Sequence, residues 1–180
     1  LSELIYRTGT VRQQLIRMPH KLFDDRQNSD GAELGYIPDL AALSAAVKDQ
    51  PGDVSISSIV DGAPLFSAPA DADEIRNPAT GKVLGTATRI APDQIGRAFE
   101  AAGRAFAGWR ATPVTARADI LRKFADLLEE NRDLLLGQLA AEGGKTMDDG
   151  LAEIREAVDF CRYYAVEAEK MFGADPALPG

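Results

Sequence analysis

The sequence is poor in the residues that build metal sites and covalent cross-links. Its 180 residues include one cysteine, Cys161, and one histidine, His20. A single cysteine cannot close a disulfide within the chain, and one cysteine with one histidine cannot supply the four ligands of a structural zinc site. We therefore expect neither a disulfide nor a bound metal.

Long apolar runs are also missing. No stretch approaches the roughly 18 consecutive apolar residues that a membrane-spanning helix needs. No charged and then apolar leader precedes a small-residue cleavage site, as it does in secretory signals. We expect no membrane span and a cytoplasmic location.

The net charge of −8 comes from one part of the chain. From Asp126 to the last residue there are 13 acidic and 5 basic side chains, and this difference of 8 equals the whole excess. Nucleic acid is therefore an unfavourable partner. Residues 1–27 carry scattered cations, which we interpret as solubilising side chains on a linker and not as a phosphate-binding patch: Arg7, Arg12, Arg17, Lys21 and Arg26.

What is present is a hydrophobic content of 45%, typical of a chain that folds around a core. The first half is rich in glycine and proline turns, which predicts a linker crossed by short elements. Within it, Leu40, Leu43 and Val47 recur at helical spacing after Pro38. We predict a short helix over residues 38–46.

Two antiparallel β ribbons are predicted between residues 54 and 90. In the first, Ile59-Val60 and Leu65-Phe66 flank Asp61-Gly62, a dipeptide typical of tight hairpins. In the second, residues 73–76 and 83–90 flank a turn that contains Pro78 and Gly81.

From residue 92 onward the apolar residues recur at helical spacing, and we predict four helices. The first covers residues 92–109 and has a stripe that should face a core. The second begins with Thr112 as N-cap and Pro113 as first helical residue. The predicted apolar positions are Ile95, Ala98, Phe99, Ala102, Phe106 and Trp109 in the first helix, and Ile120, Leu121, Phe124, Leu127 and Leu128 in the second.

The third helix covers residues 132–141, carries four leucines (Leu134, Leu135, Leu136 and Leu139) and ends at Gly143-Gly144. The fourth opens at Thr146, followed by two acids that suit the positive end of a helix dipole. Its stripe has spacings of four, three, four, three and four residues: Met147, Leu151, Ile154, Val158, Cys161 and Ala165.

Few residues are candidates for chemistry, and each has a simpler structural interpretation. Cys161 could act as a nucleophile, but it lies on an apolar stripe where a small hydrophobic residue is expected. His20 has no acid or second histidine beside it in sequence, so we interpret it as a surface residue. Residues 142–146 contain the glycine, lysine and threonine of phosphate loops, but they lack the first glycine and follow no strand. We interpret them as the end of one helix and the start of the next.

Other polar and aromatic groups are also interpreted structurally. No Gly-x-Gly-x-x-Gly follows a strand anywhere in the chain. Adjacent acids point about 100° apart on a helix and do not converge on one substrate. We expect Glu129-Glu130 and Asp148-Asp149 to be solvated and Phe160, Tyr163 and Tyr164 to pack, and we predict no catalytic, cofactor-binding or metal-ligating residue.

Several segments, taken in order, resemble the beginning of an aldehyde dehydrogenase domain. They are Asn77-Pro-Ala-Thr-Gly-Lys-Val-Leu-Gly85, Ala105-Phe-Ala-Gly-Trp-Arg-Ala-Thr-Pro113 with Arg117-Ala-Asp-Ile-Leu-Arg122, and Glu142-Gly-Gly-Lys-Thr146. The segment Ala152-Glu-Ile-Arg-Glu-Ala-Val-Asp-Phe-Cys-Arg-Tyr-Tyr-Ala165 is most similar to the subfamily that oxidises glutamate γ-semialdehyde. Upstream, residues 19–31 resemble the connector that follows proline dehydrogenase in bifunctional proline utilisation proteins.

The resemblance implies an α/β parent fold, of which this chain is a mainly helical piece with short β ribbons. Residues 1–50 would be an interdomain connector, 51–91 the β ribbons that open the domain, and 92–180 an incomplete helical layer of the NAD-binding domain. The parent would oxidise the aldehyde as a cysteine-bound thiohemiacetal with NAD, and a glutamate-activated water would release the acid. The resemblance places the cysteine, the glutamate and the NAD-binding residues downstream of this chain, and FAD in a fused proline dehydrogenase domain.

Two further expectations concern the chain as a whole. It begins with Leu1 and ends in a predicted loop over residues 175–180, so we expect a piece of a longer protein. The resemblance implies that this piece is inactive alone and that its parent is a homo-oligomer. The apolar stripes of the piece should then be exposed and favour self-association. The alternatives are a fragment of another semialdehyde dehydrogenase, or a complete, non-catalytic helical module that docks on a partner.

Overall fold

The structure, a computed structural model, describes residues 21–32, 34–35, 37–48, 54–65 and 72–173. These contain five helices and five short strands. A 3₁₀ turn at Pro92–Gln94 leads directly into the helix that starts at Ile95. In chain order the helices and strands are α1 (Ile37–Lys48), β1 (Val54–Ile56), β2 (Ser58–Val60), β3 (Ala63–Leu65), β4 (Ala72–Arg76), β5 (Val83–Thr88), α2 (Ile95–Ala111), α3 (Val114–Glu130), α4 (Arg132–Gly143) and α5 (Met147–Phe172).

Strands β2 and β3 form the first predicted hairpin. They pair antiparallel, with Ser58 opposite Leu65 and Val60 opposite Ala63. The two residues between them, Asp61 and Gly62, have φ of 56° and 74°, the left-handed backbone that two-residue hairpin turns require.

Strands β4 and β5 form the second predicted ribbon, with Ala72 opposite Thr88. The side chain of Asn77 organises the turn between them, because its Oδ1 accepts the backbone N–H groups of Ala79 and Thr80 at 2.9 and 3.0 Å. Both antiparallel ribbons are therefore confirmed.

Strand β1 adds a pairing that the sequence pattern did not predict. It runs parallel to β5, so the sheet has three strands in the order β1-β5-β4. Gly85 permits this approach, since a Cβ at that position would overlap the backbone of Val54. Parallel pairing across a long connection leaves no local turn signal in the sequence, and β1 has only three residues.

The predicted junction between α2 and α3 is wrong in one detail. The hydroxyl of Thr112 does not cap α3; it donates back to the carbonyl of Gly108 at 3.0 Å, at the end of α2. Helix α3 starts at Val114 with Pro113 before it and no side-chain cap. The extended backbone of Thr112 still separates the two helices.

The positions of the other helices are predicted correctly, but the stripe on α2 does not face a core: Phe99, Phe106 and Trp109 are 76%, 58% and 48% exposed. Helix α1 covers the short helix predicted around Leu43. Gly144 ends α4 with a left-handed φ of 66°, and the backbone N–H of Lys145 returns to the carbonyl of Leu139. At the start of α5, the hydroxyl of Thr146 accepts the backbone N–H of Asp149 at 3.2 Å.

The core forms where α1, α3, α4 and α5 meet. Helix α5 is its centre, since α3 and α4 both pack on it, and α1 packs on α4. Leu43 of α1 is only 1% exposed, so the segment before the strands belongs to the same core as the later helices. The buried cluster consists of Leu43, Ala125, Leu136, Leu151, Ile154 and Val158.

The prediction that α3 buries its large apolar residues is wrong for most of them. Helix α3 turns Ala118 and Ala125 to the core, while Leu121 and Leu128 are partly buried. Small residues face α5 because they let the two backbones approach closely. The residues predicted to be buried but found exposed are Ile120, Phe124 and Leu127.

Candidate functional site

Cys161 lies at the edge of the core. Its side chain is partly buried and packs against the cluster around Val158. Burial raises the pKa of its thiol, although the charge of Arg162 opposes the shift. A raised pKa disfavours the thiolate that nucleophilic chemistry requires.

The glycine-rich segment at residues 142–146 separates two helices, as predicted. Its lysine is held by an ion pair, because Nζ of Lys145 donates to Glu153 of α5 at 2.6 Å. That hydrogen bond raises the pKa of Lys145. The glycines end a helix here and do not follow a strand, which is unlike a phosphate loop.

The paired acids do not converge on a common point. Glu129 accepts a hydrogen bond from Arg162, whereas its neighbour Glu130 is exposed. Asp149 takes part in the cap of α5, and Asp148 is exposed beside it.

The prediction that the aromatic residues of α5 pack into the core is wrong. Phe160, Tyr163 and Tyr164 are all exposed and contact one another. His20 lies outside the described residues. Within the described ranges, no cluster of three or more His, Cys, Asp or Glu side chains could hold a metal ion, and no helix has the length and apolar character of a membrane span.

Residues 21–32, called the strap below, run against helices α3, α4 and α5. The backbone N–H of Ser29, a residue only 3% exposed, donates to the carboxylate of Asp159 at 2.6 Å. Arg132 of α4 donates to the carbonyl of Gly31 at 3.3 Å. Ala32 and Leu34 then pack against the core.

Arg162 of α5 ties the strap to α3. Its guanidinium donates to Asp126 at 2.9 Å and Glu129 at 2.7 Å, and to the strap carbonyl of Gln27 at 3.5 Å. Burial lowers the pKa of Arg162, but the hydrogen bonds to the two carboxylates outweigh it and raise the pKa overall. Closer to the end of α5, Lys170 donates to Asp25 of the strap at 2.8 Å.

A second pair of side chains joins α3 to α5 directly. Arg122 donates through both terminal nitrogens to the carboxylate of Glu169, one of these hydrogen bonds being 2.9 Å long. It also donates to Asp119 at 2.9 Å. The hydrogen bond from Arg122 lowers the pKa of Glu169. This bidentate geometry is the stronger form of ion pair.

Helices α2 and α3 expose a set of large apolar side chains. Phe99 of α2 is 76% exposed, and other large apolar side chains on both helices are exposed as well. Helix α2 packs only on the β2–β3 hairpin and its own 3₁₀ turn among the principal contacts of the described elements. We call these side chains the apolar faces: Phe99, Phe106 and Trp109 of α2, and Ile120, Phe124 and Leu127 of α3.

An open hollow of about 640 Å³ adds to this apolar surface. It lies between α3, α4 and α5 and is lined by Leu128, Leu135 and Leu139 among others. Exposed apolar area of this extent marks a surface that binds another protein surface. The described residues therefore present an apolar surface of the kind that binds another protein, and among them no nucleophile, base and substrate pocket come together.

A family comparison identifies what kind of domain has this layout. The model of the aldehyde dehydrogenase family matches residues 67–178, which is more than half of the chain. The chain belongs to the aldehyde dehydrogenase family. The resemblance of residues 77–165 to such a domain is thereby confirmed.

Two curated relatives show how the similarity is distributed. The bifunctional protein PutA of Escherichia coli is 34% identical over 169 residues, which cover 91% of this chain and 12% of PutA. The glutarate-semialdehyde dehydrogenase of Pseudomonas aeruginosa is 34% identical over 121 residues, covering 67% of this chain and 25% of that enzyme. The chain thus spans a small part of the relatives it matches.

A solved structure agrees with the fold. A mutant form of the 1-pyrroline-5-carboxylate dehydrogenase of Thermus thermophilus superposes with a TM-score of 0.77 over 88% of this chain and 31% of that protein. At 23% identity this likeness shows the fold alone. Its coverage confirms an aldehyde dehydrogenase architecture, of which the chain forms a mainly helical part.

Proposed function

We propose that the chain is the opening part of an NAD-dependent dehydrogenase domain that oxidises L-glutamate γ-semialdehyde to L-glutamate in proline catabolism. We further propose that a proline dehydrogenase domain, with FAD, lies upstream in the same protein. The observation that supports both is the extent of the match to PutA. The alignment covers 91% of the 180 residues and so leaves about 16 of them unaligned. The alignment therefore includes most of the region before residue 54.

The comparison with glutarate-semialdehyde dehydrogenase supports the same choice. That relative has the same identity, 34%, but aligns over only 67% of the chain. The family model likewise starts at residue 67. The longer match, which reaches the region with the strap and α1, supports a domain like that of PutA over one like that of glutarate-semialdehyde dehydrogenase.

The structure gives this early region a physical role in the domain. Leu43 of α1 is part of the buried core, and the strap is hydrogen-bonded to α4 and α5 through Gly31 and Ser29. A segment that is buried and bonded in this way folds with the helices it contacts. It supports an interpretation of residues 1–50 as a connector whose later part is integral to the dehydrogenase domain.

The proposed role of the described helices is to bind the rest of their own domain. The apolar faces of α2 and α3 need a partner surface, and residues 92–180 would pack as a layer on the NAD-binding sheet. The described residues do not fit NAD, because they contain no glycine-rich turn between a strand and a helix. We propose that NAD, the nucleophilic cysteine and the water-activating glutamate all belong to residues outside this chain, which has no activity alone.

The remaining elements have proposed roles in the whole enzyme. Residues 51–91 would open the domain, and their ribbons would contribute to subunit contacts of a homo-oligomer. The protein would act in the cytoplasm on a small aldehyde.

The test is a substrate panel applied to the full-length protein and, in parallel, to the 180-residue chain. Glutamate, glutarate and succinate semialdehydes are offered with NAD and with NADP, and reduced cofactor is measured. We expect the highest kcat/KM for glutamate γ-semialdehyde with NAD, and no turnover by the 180-residue chain. A preference of the full-length enzyme for glutarate or succinate semialdehyde would show that the substrate proposal is wrong.

A further inference from the structure

The strap runs along one side of helix α5, in the opposite direction to the helix. Alternate residues of the strap contact residues of α5, and the pairs are Gly31 with Arg155, Ser29 with Asp159, Gln27 with Arg162, and Asp25 with Lys170. Spacings of four, three and eight residues keep these α5 side chains on one face of the helix. The lengths also agree. From residue 25 to residue 31 an extended chain spans about 20 Å, and from residue 155 to residue 170 a helix spans about 22 Å.

The two ends of the strap are held by different kinds of contact. At the end nearer α1, Ser29 is buried and Leu34, just beyond the strap, packs against the core. We call residues 21–27 the outer end of the strap. Both of its large apolar side chains, Leu22 and Phe23, are exposed. Buried apolar contacts contribute more to stability than exposed polar ones, so the attachment weakens from α1 toward the outer end.

The contacts of the outer end are made by charged groups near the surface. The side chains of Asp25 and Lys170, which form an ion pair, are 41% and 55% exposed. The hydrogen bond from Arg162 to the strap is 3.5 Å long, which is long for this type of bond. The guanidinium of Arg26 lies 5.1 Å from the ring centre of Tyr163. Each of these contacts stabilises the closed strap only slightly, because water competes for the same groups.

We propose that the outer end of the strap detaches from α5 by itself, while Ser29 and the helices stay in place. The strap is then a hinged segment, and its fixed point is the hydrogen bond between Ser29 and Asp159. Proteins open in this way where a segment has few buried contacts and lies beside a segment that has many.

The opening uncovers one side chain of α5 in particular. Val166 lies between Arg162 and Lys170 on the helix face that the strap follows, and it is only 8% exposed. It lines a hollow of about 210 Å³ together with strap residues Asp25, Arg26 and Gln27. Reagents should reach residue 166 when the outer end moves away.

The consequence for the whole protein rests on the proposed function, in which a proline dehydrogenase domain lies upstream. A hinge at Ser29 would let that domain shift against the dehydrogenase helices without unfolding their core. The opening itself is a property of the 180-residue chain. Its test therefore fails or succeeds independently of the substrate and of the fusion.

The experiment measures how fast a thiol beneath the outer end is alkylated in the 180-residue chain. Cys161→Ala removes the natural thiol, and Val166→Cys introduces the reporter. The control is Val158→Cys, the same substitution at a position of α5 that is 0% exposed in the core. N-ethylmaleimide, a neutral reagent, is added under native conditions and its addition is followed by mass spectrometry. We expect the Val166→Cys protein to react at least about tenfold faster, because the outer end opens without the core.

A second variant tests whether the outer end is what covers residue 166. Asp25→Asn, made in the Val166→Cys protein, removes the ion pair with Lys170 and should raise the alkylation rate about two- to fivefold. The matched control is Asp73→Asn, which removes an exposed ion pair with Arg89 in the β4–β5 ribbon and should leave the rate unchanged. No response to Asp25→Asn would overturn the proposal.

Hydrogen exchange at the Ser29 amide locates the hinge. We expect its opening constant to be at least about tenfold smaller than the constant obtained from alkylation of the Val166→Cys protein. Equal constants would show that the whole strap leaves as one unit, which contradicts a hinge at Ser29. Equal alkylation rates for Val166→Cys and Val158→Cys would show that the strap opens only when the core unfolds.

Discussion

The carboxylate of Asp159 accepts the backbone N–H of Ser29 at 2.6 Å, although the two residues are 130 positions apart. Ser29 is the one buried polar residue among those described, and its hydrogen bond to the half-buried Asp159 is partly shielded from water. It fixes the strap to the centre of α5. Loss of the acceptor would leave a buried donor without a partner.

The variant Asp159→Ala should therefore lower the free energy of unfolding by about 1–3 kcal/mol, the usual cost of a buried unsatisfied group. Asp159→Asn, which keeps an oxygen in the same place, is the matched control and should lose less. Denaturant titration measures both values, and hydrogen exchange at the Ser29 amide should speed up in the alanine variant. Equal stability of wild type and Asp159→Ala would show that the bond contributes nothing.

Two glycine substitutions should change stability in opposite directions. A Cβ at Gly150 of α5 would lie 2.5 Å from Cδ1 of Leu136, which is itself 1% exposed and cannot move aside. We expect Gly150→Ala to destabilise the α4–α5 contact by about 1–3 kcal/mol. Gly103 of α2 has no atom within 4 Å of the same position, so Gly103→Ala should stabilise by about 0.4–1 kcal/mol. Thermal unfolding of the two variants side by side checks the signs.

The cap of α5 gives a third prediction. Thr146→Ala removes the oxygen that accepts the N–H of Asp149 and should cost about 1 kcal/mol. Thr146→Ser keeps that oxygen and should stay close to wild type. Helical content and unfolding midpoint report the loss; a serine variant as unstable as the alanine variant would mean that the methyl group, and not the cap, is what matters.

The ion pair between Arg122 and Glu169 should make stability depend on acid. The hydrogen bond from Arg122 lowers the pKa of Glu169 below its ordinary value of 4.5 in the folded state. This contribution is present above pH 4.5 and is lost as the pH falls through the lower folded-state pKa. Wild type should lose stability more steeply than Glu169→Gln below the ordinary value. Parallel thermal midpoints for both proteins across an acid series would refute this.

Local signals were sufficient to predict α4 and α5. The period of the apolar residues, the glycine stop at Gly144 and the hydroxyl of Thr146 all act within a few residues of the helix ends, so they can be read directly. The Asp61-Gly62 hairpin was predictable for the same reason. Thr112 shows the limit, since a hydroxyl between two helices can bond to either one.

Non-local contacts were not predictable in the same way. The parallel pairing of Val54 with Gly85 joins segments 31 residues apart, and no tight turn between the two strands predicts it. The strap binds through backbone groups such as the carbonyl of Gln27, and backbone groups are the same in every sequence. The contact between Asp159 and Ser29 was missed for this reason.

The apolar faces illustrate a different limit. The stripes on α2 and α3 were read correctly as apolar, but a stripe does not specify which surface covers it. In the structure Ala125 lies in the core, while its neighbour Phe124 is 50% exposed. Phe99 is likewise 76% exposed among the described residues, and the proposed function assigns the partner of both phenylalanines to the rest of the dehydrogenase domain.

The most direct test of this account measures exposed apolar surface on the 180-residue chain and on the full-length protein. Binding of a hydrophobic dye and sedimentation are recorded for both at the same molar concentration. We predict that the 180-residue chain binds dye and self-associates, while the same faces are covered in the full-length protein. A 180-residue chain that stays monomeric, melts cooperatively and binds no dye would contradict the claim that these helices exist to dock on the rest of a dehydrogenase domain.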